Sequence, residues 1–101
     1  LSLIDALFYW LQMKLVCEAR PDDEAARATV DFFAQILSED HDLLSYDLTS
    51  QNEVKIYVTY TVKGESERTV WFDREAAEQL LHGPVLSKAE KDFDGNEEEQ
   101  R

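Results

Sequence analysis

Apolar positions along the chain change their period twice, and the changes divide it into helices, then strands, then a short helix. From Ser2 to Ala19 no Pro or Gly interrupts a run containing Leu3, Ile4, Ala6, Leu7, Phe8, Trp10, Leu11, Met13, Leu15, Val16 and Cys17. Ser2 suits the N-cap, with Asp5 three residues on. The run predicts a helix over 2–19 that is apolar around most of its circumference, a pattern that requires cover on several sides. Pro21 disfavours helix at Arg20, and Asp22 suits the N-cap of a second helix, whose first acids complement the helix dipole. Ala26, Val30, Phe33 and Leu37, with Thr29 and Ile36, then recur at helical spacing to about Ser38.

Beyond the polar stretch 38–42 the period becomes two. Leu44, Tyr46 and Leu48 alternate with Ser45, Asp47 and Thr49, a turn is expected at Gln51-Asn52, and Val54, Ile56, Val58, Tyr60 and Val62 alternate with Lys55, Tyr57, Thr59 and Thr61. The second run is the clearest half-buried strand. Gly64 marks a hairpin turn, and Arg68 to Phe72 returns as a third strand. A three-residue loop would pair Lys63 with Glu67, setting Val70 and Phe72 on the face of Val58 and Tyr60 and leaving Trp71 outside near Tyr57 and Thr59. A two- or four-residue loop would exchange the faces. The first register gathers more apolar residues inside.

Asp73 N-caps a short helix with Ala76, Ala77, Leu80 and Leu81 on one side, Gly83 at its end and Pro84 as a stop. Val85 and Leu86 are expected to dock. The order is ααβββα: an α+β domain over 1–86, with a helical hairpin packed on a three-stranded antiparallel meander, and an acidic flexible tail over 87–101. At 101 residues, 44% of them hydrophobic, there is material for one core and none for an α/β barrel of about 250 residues.

Charge narrows the partners. The net charge is −12. Residues 22–53 hold nine acids against the single base Arg27, and 88–101 hold six acids against three bases. Such a balance argues against direct contact with nucleic acid or an anionic membrane and leaves a basic protein partner. The first helix has neither the basic lead of a signal peptide nor the ~20 apolar residues of a membrane span. One cysteine, Cys17, allows no intramolecular disulfide, which fits a reducing cytoplasm.

Candidate chemistry is sparse. Glu39, Asp40, His41 and Asp42, near Asp47, resemble loose ligands for a hard cation, although the spacing matches neither an EF-hand loop nor HExxH and a solvated acidic loop is the commoner meaning. His82 suits a helix C-terminus. Cys17, inside the most apolar helix, reads as a small hydrophobe. The three glycines are far apart, so no phosphate-cradling loop exists. No catalytic residue and no cofactor is expected.

Three surfaces remain. The acidic one comprises Asp22, Asp23, Glu24, Asp31, Glu39, Asp40 and Asp42. The outer sheet face offers Tyr57, Thr59 and Trp71, and Tyr and Trp are common interface anchors. The over-apolar first helix suggests a homodimer through Leu3, Leu7, Tyr9 and Trp10, with Tyr9 the ring to expect at the surface. The chain therefore reads as a small acidic cytoplasmic interaction or regulatory domain. The alternatives are an immunity- or antitoxin-like inhibitor of a basic protein and, more remotely, a metal-dependent enzyme centred on His41.

Overall fold

The computed structural model describes residues 1–82. Seven elements follow in the anticipated order: α1 (Leu3–Ala19), α2 (Glu24–Glu39), β1 (Leu43–Gln51), β2 (Lys55–Val62), β3 (Arg68–Asp73), α3 (Arg74–Ala77) and α4 (Gln79–His82). The fold is α+β, with an antiparallel sheet in the order β1-β2-β3. Gly83, Pro84, Val85, Leu86 and the expected tail lie outside the described residues.

The all-round apolar character of α1 follows from its position. On one side α2 packs along it, with the Tyr9 and Phe33 rings 5.6 Å apart. The inner sheet face covers a second side, where Trp10 meets Tyr46 edge-on at 4.9 Å and Phe8 meets Phe72 at 5.4 Å. On a third side Gln12 Nε2 donates to the Ala76 carbonyl of α3 at 3.0 Å. Leu7, Leu11, Leu37, Ile56 and Val58 are the largest fully enclosed side chains, each worth about 1.5–3 kcal/mol by burial. Cover that the sequence pattern assigned to a second subunit is thus supplied within the chain.

Both long helices are capped by side chains. Ser2 Oγ accepts from the Asp5 amide at 3.1 Å. For α2 the cap is Asp23, one residue later than expected at Asp22, and its carboxylate accepts from the Ala26 amide at 3.0 Å. The two residues after Pro21 complete a turn, closed by the Asp23 amide on the Arg20 carbonyl at 3.0 Å, before the helix starts. The last helix is not continuous. Asp73 caps α3 as anticipated, with its carboxylate on the Ala76 amide at 2.8 Å, and Glu78 then separates two single turns.

Three details of the sheet differ from the simple alternation. Leu44 is 67% exposed while Leu43 is buried, because the β1–β2 register shifts between Leu43 and Ser45, and again between Leu48 and Ser50. Such bulges insert a residue without a partner. Val54 lies outside β2, in a turn where Asn52 Oδ1 accepts from the Val54 and Lys55 amides. In the β2–β3 hairpin Lys63 does not pair with Glu67: the ladder runs Tyr60↔Arg68, Val58↔Val70, Tyr57↔Trp71 and Ile56↔Phe72, two residues from the expected register. The Glu65 amide bonds the Val62 carbonyl at 2.9 Å, so the turn closes early. Gly64 at φ +80° takes the third position of a type II turn, which β-carbon-bearing residues resist. A two-residue slip preserves parity, so Val70 and Phe72 still face inward and Trp71 outward.

Removing the cap carboxylate of α2 separates the two aspartates. Asp23→Ala is expected to lower stability by about 1 kcal/mol and Asp22→Ala to change it by less than about 0.5 kcal/mol, read from urea midpoints at neutral pH. Equal losses would contradict the cap assignment.

Candidate functional site

The acidic residues divide into groups. Asp22, Asp23 and Glu24 stand at the start of α2, Asp31 midway, and Glu39, Asp40 and Asp42 at or just beyond its end. Sixteen residues at 1.5 Å each make about 24 Å, more than twice the roughly 8–10 Å over which salt screens charges. The acidity therefore acts as two poles rather than one field. Asp23 is half-buried and spent on its cap, and Glu39 accepts from Gln35 Nε2 at 3.1 Å. Asp22, Glu24, Asp31, Asp40 and Asp42 are exposed.

The loop after α2 does not assemble the suspected cation site. Among the described residues no three His, Cys, Asp or Glu side chains converge as a metal would require. His41 instead donates from Nε2 to the Leu1 carbonyl at 2.9 Å, tying the α2–β1 loop to the start of the chain. Asp42 takes φ 56°, a left-handed turn that Asp tolerates better than most residues. His82 sits 3.9 Å from Glu78 Oε1, and Cys17 is a half-buried free thiol.

The expected dimer strip on α1 is dismantled by the packing. Leu7 and Trp10 are core residues and Leu3 is packed against the core, which leaves Tyr9 at 41% exposure. Tyr9 belongs instead to a file of touching rings that runs from the sheet to the surface: Phe72–Phe8 at 5.4 Å, Phe8–Tyr9 at 5.8 Å, Tyr9–Phe33 at 5.6 Å and Phe33–Phe32 at 5.2 Å. Its outer end, Phe32, is 58% exposed and borders a shallow recess with Gln35, Ile36, Glu39 and Asp40. The helical stripe contained Phe33 and passed over Phe32. The signal was present nonetheless, since adjacent helical residues point about 100° apart and only one of the pair fits the stripe.

On the outer sheet face the anticipated residues are brought together. Trp71 lies opposite Tyr57, is 51% exposed, and carries Lys55 Nζ 4.3 Å above its ring centre, a cation–π contact. Thr59 joins its neighbours in a hydroxyl row, 2.9 Å from Thr49 and 3.0 Å from Thr69. These hydroxyls satisfy one another and fix the face as a firm, mixed surface.

No protein-family model, curated protein or solved structure matches the chain. No helix among the described residues is long and apolar enough to cross a membrane.

Burial raises the Tyr46 phenol above its usual 10.0. Folding favours the neutral ring, so this contribution is complete below pH 10 and is lost as pH rises through the folded value. Above about pH 10, stability of the wild type is expected to fall more steeply than that of Tyr46→Phe; parallel urea-midpoint profiles would contradict it. In a separate titration, millimolar Mg²⁺, Mn²⁺ or Zn²⁺ is expected to leave the thermal midpoint unchanged. A saturable rise abolished by His41→Ala would restore the cation site.

Proposed function

We propose that the chain is a non-catalytic protein-interaction module that docks on a basic partner through the C-terminal half of α2. The observation that carries the reading is Phe32: a large ring 58% exposed, flanked on α2 by Asp31 and by the recess of Glu39 and Asp40, and backed by the ring file that ends on it. An aromatic anchor within a charged rim is the usual composition of a specific protein contact. Asp31 precedes the ring, and Glu39 and Asp40 border its recess, so the rim suits Lys and Arg on the partner. The free thiol of Cys17 supports a reducing, cytoplasmic setting.

A narrower form of this reading is an inhibitor of the immunity or antitoxin kind. The charged residues bordering the Phe32 recess, Glu39 and Asp40, are both acids, which supports it, because a partner that uses basic residues on nucleic acid would have them occluded by the same contact.

Capture of partners on the immobilised full chain tests the reading. Bound partner is expected to be basic, to leave as ionic strength rises, and to bind about 30-fold more weakly to Phe32→Ala, the equivalent of a ~2 kcal/mol anchor. Trp71→Ala is expected to bind normally. Capture indifferent to both salt and Phe32 would overturn the proposal.

A further inference from the structure

We propose that β3 pairs antiparallel with β3 of a second copy of this chain, joining two three-stranded sheets into one of six strands. The first support is the phase of the ladder. The Arg74 amide bonds the Val54 carbonyl at 2.8 Å, and the Lys55 carbonyl turns the other way to accept from Asn52 at 2.9 Å. Bonding alternates along an antiparallel pair, so Val70 and Phe72 bond to β2, while the amides and carbonyls of Thr69 and Trp71 point off the margin of the sheet. Among the described residues no strand lies beyond β3.

The second support is the contrast between the two margins. β1 is interrupted twice by register shifts, a common device against strand addition. β3 pairs without interruption and holds neither Pro nor Lys, its one base being Arg68 at the start. A two-fold axis perpendicular to the sheet would keep the faces aligned. Half-buried Val70 and buried Phe72 would continue the core across the axis, and Trp71 would gain neighbours on the outer face.

Charge points to a second copy as the occupant. Two chains at −12 repel, and they approach best where the local net charge is least negative. Residues 54–74 carry four bases (Lys55, Lys63, Arg68, Arg74) against three acids (Glu65, Glu67, Asp73), a net of +1. β3 also lies about 10 Å, two strand spacings, from β1, the strand that connects to acidic α2. This surface is separate from the Phe32 face, so the two proposals fail independently.

Light scattering of the purified full chain over a concentration series tests it. The wild type is expected to reach twice the mass of one chain, with a dissociation constant that falls several-fold as salt screens the repulsion, opposite in sign to the basic-partner contact. Thr69→Pro deletes an outward amide that β2 does not use, and Val70→Lys places a charge beside the axis. Each is expected to be monomeric with the circular dichroism of the wild type, while Leu44→Asp on β1 stays dimeric. A wild-type monomer throughout overturns the proposal, as does a dimer that persists in a folded Thr69→Pro or Val70→Lys or is abolished by Leu44→Asp. If Thr69→Pro fails to fold, Val70→Lys decides.

Discussion

A helix that is apolar on nearly every side can exist in water only if something encloses it, and in this domain the enclosure of α1 determines where everything else goes. Two further helical layers would be one solution. Here α2 takes one flank, the sheet takes the side of Trp10 and Phe8, and the broken α3–α4 segment closes toward Gln12. Gln12, brought inward by this packing, finds the Ala76 carbonyl, which also accepts from the Glu78 amide at the end of α3. The aromatic file is a product of the same enclosure, since Phe8 and Tyr9 are adjacent in α1 and point to different neighbours.

The legible and illegible parts of the sequence divide along a physical line. Element type and order follow from periodicity, and periodicity is strong where one face is buried: Ile56, Val58 and Tyr60 announce β2 unambiguously, and parity alone places Trp71 outside. What periodicity does not encode is any event that adds or removes a residue. The bulge beside Leu44 adds a residue without a partner, and the early closure at Gly64 and the choice between Asp22 and Asp23 each turn on one hydrogen bond of about 1 kcal/mol. That Leu7 and Trp10 of the expected dimer strip serve the core instead has a different reason. An excess of apolar surface says that cover is needed and is silent on whether the same chain provides it.

The candidate surfaces are visible in composition and become specific only in three dimensions. A charge of −8 over 22–53 reads as one feature on paper, whereas the length of α2 separates it into poles, with a phenylalanine standing near one of them. Acids at the pole without Phe32 are partly consumed by folding, as the Asp23 cap shows. The pole with Phe32 joins charge to a large exposed ring, the combination on which the proposed recognition rests.

The unequal margins of the sheet carry a consequence for the size of any assembly. A sheet with two plain margins adds chains at both and grows without end. With β1 irregular and β3 regular, a pair joined through β3 presents only β1 margins to the outside, and neither accepts another strand. In the proposed pair, the irregularity at Leu44 and Thr49 would act as a terminator, restricting strand addition to a closed set of two and keeping the sheet out of open-ended polymers.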